Sequence, residues 1–204
     1  MFRYPDKPVG EISRQGLAIL QNRYLAQLKM DGWRCVIEYT PSGVTFTSRH
    51  NRPIAVSDGL SNLFCRMLGS GNVPYGTILD AEWLARRPAC RTEALWLFDV
   101  MQYGALSLWH LPTAERFAML RSIVPVEWIV PSLGLLGAEG AEGAEAEQDY
   151  AAFFDAMRDR PDAEGLVLKC RTAKYIGSFR QSADNPGWLK CKWRAGESGL
   201  TKVA

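Results

Sequence analysis

The sequence predicts an α+β domain with largely antiparallel sheets. Short strand-like runs recur from residue 24 to residue 193, several of them joined by tight turns. Helix-spaced segments fall between them without regular β-α-β alternation, which argues against a parallel doubly wound sheet. There is no internal repeat. At 204 residues, 47% hydrophobic and 23% charged, the chain suits one globular domain spanning 1–204.

The elements follow in order. Residues 1–10 carry Pro5 and Pro8 and read as an extended arm, and 11–21 as a short helix. Tyr24 to Lys29 reads as a strand, Asp31-Gly32 as a turn, and Trp33 to Tyr39 as the next strand. After Pro41-Ser42-Gly43 comes a third strand, Val44 to Thr47, so that 24–47 reads as a β-meander. Residues 57–68 space Leu60, Leu63, Phe64, Met67 and Leu68 at helical intervals until Asn72, Pro74 and Gly76 break them off. Strands are expected at 77–84 and 94–100, and a helix from Pro112 to about Ile123. Gly137 to Gln148 is an acidic Gly-Ala-Glu tract that cannot build a core and reads as a flexible surface loop, or as an extension of the helix expected at 150–158. Strands at 165–169 and 188–193 complete the chain.

Charge and cysteine usage narrow the class. Net charge is only +2, but Lys169, Arg171, Lys174, Arg180, Lys190, Lys192 and Arg194 are opposed between 169 and 194 by Asp184 alone. Such a segment can bind phosphates of a nucleotide or of a nucleic-acid backbone, or be a solvated basic face. The five cysteines are odd in number, widely spaced and never in a Cys-x-x-Cys pair, so they read as free thiols of a reducing compartment. There is no apolar run of membrane-spanning length and no signal peptide pattern, so a cytoplasmic location with no membrane partner is expected.

The chemistry concentrates at Lys29-Met30-Asp31-Gly32-Trp33-Arg34. A match to Lys-x-Asp-Gly-x-Arg arises by chance in a chain of this length at a frequency on the order of a few in a thousand. A lysine amine is a nucleophile only when neutral, and its reference pKa is about 10.4. Clustered cations lower that value, so Lys190, Lys192 and Arg34 are expected around Lys29. The same cations would stabilise charge developing on a phosphate.

These residues, with five later segments, resemble the adenylation domain of ATP-dependent DNA ligases. That family belongs to the superfamily that also holds RNA ligases and mRNA capping guanylyltransferases. Lys29 to Arg34 resembles the nucleophile motif, and Ser48-Arg49-His50-Asn51-Arg52-Pro53-Ile54 the segment whose arginine helps bind the nucleotide and the nicked end. Leu79-Asp80-Ala81-Glu82-Trp83 resembles the third motif, with alanine where glycine is usual. Leu97-Phe98-Asp99-Val100 resembles the motif whose aromatic ring stacks on the base. Glu164-Gly165-Leu166-Val167-Leu168-Lys169 and Trp188-Leu189-Lys190-Cys191-Lys192 match the last two. Together they cover roughly residues 24–194 in the family's order.

The resemblance implies a nucleotidyltransferase (ATP-grasp-like) fold with sheets flanking a nucleotide cleft. It implies an ATP-dependent polynucleotide ligase that carries AMP on Lys29 and seals 5′-phosphate/3′-hydroxyl nicks. Lys190 and Lys192 would assist catalysis. Leu28 (through its backbone), Arg34, Arg49, Glu82, Phe98 and Lys169 would bind nucleotide, and Glu164 and Glu82 would hold Mg²⁺ (or Mn²⁺). Nicked DNA is the expected partner, with RNA or a hybrid duplex as alternatives. Taken singly, Phe98 also reads as a core ring, Glu82 and Glu164 as salt-bridged surface carboxylates, and Lys190 and Lys192 as the solvent side of a half-buried strand. Two features depart from the family. Gln27 stands where a base-reading glutamate is common, and only twelve residues follow Lys192, too few for the usual OB barrel. No OB domain is therefore expected in this chain: either the sequence is truncated before it, or a separate OB-domain protein supplies it, or the chain works as a lone catalytic domain. A capping-type guanylyltransferase and a non-catalytic module binding nucleotides or DNA ends are the competing readings.

Overall fold

In a computed structural model of the protein, residues 4–20, 23–85, 92–134, 149–177 and 181–193 are described. The acidic tract at 137–148 lies outside them. The fold is α+β, with ten strands in two five-stranded sheets and three α-helices among the described residues. The first sheet has the order β1 (Lys7–Glu11), β10 (Asp184–Lys192), β9 (Ala163–Cys170), β2 (Tyr24–Met30), β8 (Ser132–Leu133). The second runs β4 (Gly43–Ser48), β3 (Trp33–Thr40), β5 (Ile78–Leu84), β6 (Ala94–Tyr103), β7 (Leu106–Ser107). All ladders between named strands are antiparallel except β1 with β10, which is parallel.

Helices α1 (Asp58–Ser70) and α2 (Thr113–Ile123) place Phe64, Leu68, Phe117 and Leu120 in one core with Ile37, Leu79 and Leu97 of the second sheet. The Ser57 side chain caps α1 by accepting the Leu60 N–H at 3.3 Å. Helix α3 (Tyr150–Ala156) and a 3₁₀ helix at Arg14–Leu20 fill a second core against the first sheet, using Tyr150, Phe154 and Leu17. A third cluster of Val36, Met101, Trp109, Tyr175 and Trp188 joins residues of both sheets.

Two sequence expectations are corrected. The extended arm at 1–10 contains a strand: β1 lies along β10, with Lys7 opposite Asp184 and Glu11 opposite Lys190. Pro8 and Gly10 give it no strand signature of its own, so the pairing comes from β10. The β-meander over 24–47 is also wrong in its first turn. Strands β2 and β3 do not pair with each other; β2 pairs with β8 and β9, and β3 with β4 and β5. Asp31-Gly32 carries the chain from one sheet to the other. A side chain at Gly32 would start 2.5 Å from the Trp83 carbonyl oxygen and 2.7 Å from Leu84 Cδ2, so only glycine lets the chain cross β5 there.

Candidate active site

The two sheets wall a cleft of about 620 Å³, lined by Gln27, Lys29, Val167, Lys169, Trp188, Lys190 and Lys192 from the first sheet. Arg34, Glu82 and Phe98 from the second sheet and Arg49 after β4 also line it. Strand register explains the first wall. Lys192, Gly165 and Lys29 form one cross-strand row, Lys190, Val167 and Gln27 the next, and Trp188 and Lys169 part of a third. Residues of the opposite parity, among them Leu28, Leu166, Leu168 and Cys191, enter the second core. The alternation Trp-Leu-Lys-Cys-Lys therefore aims both late lysines into the cleft.

Lys29 donates to Glu164 Oε1, and Lys192 donates to Glu164 Oε2 at 2.8 Å. Burial pushes the Glu164 carboxyl up, but its bonds to Lys192 and Lys29 outweigh that and hold it below the usual range. Lys29 shares the cleft with the three cations expected around it, Lys190, Lys192 and Arg34. Its direct partner is a carboxylate, while Lys190 turns to Glu11 Oε2 at 3.7 Å and Arg34 forks onto Asp80, with Nε 2.8 Å from Oδ1. An ammonium in this position needs a counter-charge when no phosphate is bound, and Glu164 supplies it.

Glu82 accepts the Gly32 N–H at 3.2 Å and so ties the turn after Lys29 to β5. Burial raises its carboxyl to about 7 against the opposing charges of Lys29 and Arg34. Phe98 borders the cleft with the Arg34 guanidinium 5.1 Å and the Lys169 ammonium 4.9 Å from its ring centre. Arg49 is on the rim and donates from Nε to His50 Nε2 at 3.1 Å.

One predicted contact is not as expected. Lys169 is 2% exposed and its ammonium is 3.1 Å from Asp99 Oδ2 and 3.3 Å from the Phe98 carbonyl. Burial lowers it from the usual lysine range, with Asp99 opposing. It underlies the cleft, while its charge is already committed to Asp99, which also takes two bonds from Arg116, at 2.9 and 3.1 Å. Leu28 lines the cleft, with its side chain buried in the second core and its N–H already donating to the Pro131 carbonyl at 2.8 Å. Gln27 is a polar group on that strand. It is 1% exposed, its Nε2 donates to the Phe98 carbonyl at 3.0 Å, and its Oε1 has no partner among the described residues. Sequence reasoning did not place Asp99, Arg116 or Tyr175 at the site. Asp99 was legible only as the residue after the stacking ring, and no local signal marked Tyr175.

The described residues contain no group of three or more His, Cys, Asp or Glu arranged for a metal ion. Magnesium commonly takes only one or two protein carboxylates, completing its shell with water and substrate phosphates. Glu164 and Glu82, both on the cleft, fit that donor set.

No protein-family model matches the sequence, and no curated protein does. Solved structures do match. Mycobacterial DNA ligase D complexed with ATP superposes with a TM-score of 0.63 at 17% identity, over 94% of this chain and 61% of that one. This chain therefore shares its fold with that part of the ligase D structure. The bacteriophage T7 ATP-dependent DNA ligase complexed with ATP gives a TM-score of 0.59 at 15% identity, covering 98% of this chain and 74% of that one. An archaeal ATP-dependent RNA ligase gives 0.55 at 15% identity, covering 92% of this chain and 48% of that one. The chain thus spans about 61% of the ligase D structure. Structures of DNA and RNA ligases both share this fold. No helix among the described residues is long and apolar enough to cross a membrane.

Proposed function

We propose that the protein is an ATP-dependent polynucleotide ligase, acting on nicked DNA, in which Lys29 carries the nucleotide. The observation that carries this reading is the sharing of one carboxylate, Glu164, between Lys29 and Lys192 at the head of a cleft bordered by Phe98. Once the Lys29 ammonium has lost its proton to solvent, the neutral amine attacks the α-phosphorus of ATP. A P–N bond forms, the bond to the pyrophosphate oxygen breaks, and pyrophosphate departs. Lys192 and Lys190 stabilise the charge that grows on the α-phosphate. Arg34, fixed by Asp80, faces the ribose and phosphate region, and Phe98 offers its ring to the base.

Glu164 and Glu82 would hold a divalent metal, Mg²⁺ or Mn²⁺, which supplies charge neutralisation at the triphosphate. A phosphate in the cleft also gives Lys192 a second anion besides Glu164. The nucleotide then passes to a 5′-phosphate, where Arg49 on the rim contributes a guanidinium with phosphate-matching geometry. A 3′-hydroxyl displaces AMP and seals the strand. A cytoplasmic location belongs to the same proposal.

The test is the intact mass of the protein after incubation with Mg²⁺ and either ATP or GTP, alongside Lys29→Ala. Addition of one AMP to the wild type alone is expected, followed by its loss on nicked DNA with sealing. An adduct from GTP alone would convert the reading to a capping-type guanylyltransferase. Sealing of nicked RNA but not DNA would make it an RNA ligase, and nucleotide binding with no adduct a non-catalytic module.

A further inference from the structure

Arg34 enters the cleft on a fork that is not self-supporting. Its guanidinium leans on Asp80, whose side chain is fully buried, and a carboxylate so placed requires its remaining acceptor capacity to be met. The group that meets it comes from the other side of the molecule. Tyr175 lies in the segment between β9 and β10, 95 positions from Asp80, and donates its hydroxyl to Asp80 Oδ2 at 2.9 Å.

Everything around Tyr175 holds that hydroxyl in place. Its ring stands 4.7 Å from Trp109 and 5.3 Å from Trp188, and the Arg116 guanidinium lies 4.4 Å above it. Its N–H donates to the Trp109 carbonyl at 3.1 Å. The next two residues are anchored as well, with the Ile176 and Gly177 N–H groups donating to the buried Asp6 at 2.7 and 3.3 Å. Asn185, at the start of the strand that carries Lys190 and Lys192, donates to Asp6 at 2.8 Å. Burial and the neighbouring Asp80 raise the Tyr175 phenol well above its ordinary value, so it remains a donor.

We propose that Tyr175 is a positioning residue for Arg34: its hydroxyl fixes the Asp80 carboxylate, and through it the guanidinium that meets the nucleotide. The aromatic side chain thereby couples the lysine-bearing strand β10, on which its ring packs at Trp188, to the arginine of the facing sheet. This rests on the proposed nucleotidyl transfer for its catalytic consequence but not for its structural one.

The test is a double-mutant cycle with Tyr175→Phe, which keeps the ring and its three aromatic or cationic neighbours. Rates of lysyl-adenylate formation are measured against ATP concentration for wild type, Tyr175→Phe, Arg34→Ala and the double variant. Loss of a hydrogen bond to a buried charge is expected to raise KM for ATP roughly 5- to 30-fold, with kcat changed less. In the Arg34→Ala background the same change is expected to cost nothing further, because its route is gone. Fully additive effects would overturn the proposal, since they would make Tyr175 a packing residue only. A second readout needs no activity. Solvent exchange of the Arg34 Nε–H, followed by NMR, is expected to accelerate at least about fivefold in Tyr175→Phe. Faster exchange without any adduct in the wild type would sink the ligase reading and keep the positioning role, whereas unchanged exchange would sink the positioning role.

Discussion

Lys192 lies 2.8 Å from the second oxygen of Glu164, the carboxylate whose first oxygen is held by Lys29. The proposed nucleophile and its proposed assistant are therefore tied to a single anion, although 163 positions separate them in the chain. With phosphate in the cleft, Lys192 has two anions to serve, and only one of them acquires charge as the reaction proceeds. Lys192→Met is expected to lower the rate of lysyl-adenylate formation about 100- to 1,000-fold, the range for removing one preorganised donor from a developing oxyanion. The ATP dissociation constant should change much less. Rapid-quench mass spectrometry at saturating ATP measures the first quantity and calorimetry the second. A variant that binds ATP 100-fold more weakly but reacts normally at saturation would place Lys192 in ground-state binding instead.

Glu82 makes the unliganded protein sensitive to neutral pH. Its carboxyl is raised from the ordinary value of 4.5 to about 7, burial being the main cause. Between those values the folded state holds a proton that the unfolded state releases, so stability falls as pH rises through that window. The contribution is fully present below about 4.5 and lost above about 7. Glu82 is not sealed from water, and the expected loss is about 1–2 kcal/mol. Urea unfolding of wild type and Glu82→Gln at pH 5 and pH 8 measures it: the wild type should lose stability relative to the variant, and parallel behaviour would show that the carboxylate is ionised throughout.

The parts legible in the sequence were those fixed by local pattern. Helix α1 announces itself through Ser57 and the spacing of Leu60, Phe64 and Leu68, and β10 through an alternation that puts Trp188, Lys190 and Lys192 on one face. What stayed hidden depends on distant partners. Asp31-Gly32 has the same turn chemistry whether the flanking strands pair with each other or part company, and the choice is made by β9 for one strand and β5 for the other. Lys169 reads as one more cation of a basic segment. Only Asp99, 70 positions away, explains how it can be buried. Tyr175 carries no local sign that its hydroxyl reaches Asp80.

Asp99 is the anion on which two buried cations depend. Burial would raise its carboxyl, but Arg116 and Lys169 overrule burial and hold it at about 2. Asp99→Asn leaves both cations without their counter-charge and is expected to destabilise the fold by about 3–5 kcal/mol in urea unfolding at pH 7. The wild type should show the complementary acid effect. With the folded value below the unfolded one, the stabilisation is present above the ordinary value of 3.8 and drains away as pH falls toward about 2. The variant should lack that drop. A loss under 1 kcal/mol at pH 7 would mean that Arg116 and Lys169 find other acceptors.

Gly165 stands between Lys29 and Lys192 in the cross-strand row, with φ at +146°. Any Cβ there would strike the Cys191 carbonyl and lie 2.8 Å from Lys192 Cα, so a side chain forces β9 away from β10. The backbone conformation alone is expected to cost about 1–3 kcal/mol for a residue other than glycine. The larger consequence concerns the site. Glu164 precedes Gly165 and receives Lys29 from one side and Lys192 from the other, and an offset of about 1 Å between reacting groups can cost on the order of 100-fold in rate. Gly165→Ala should therefore lose lysyl-adenylate formation by at least about that factor under conditions where circular dichroism shows it fully folded. A folded variant with wild-type adenylation would show that the two lysines do not need the spacing this glycine permits.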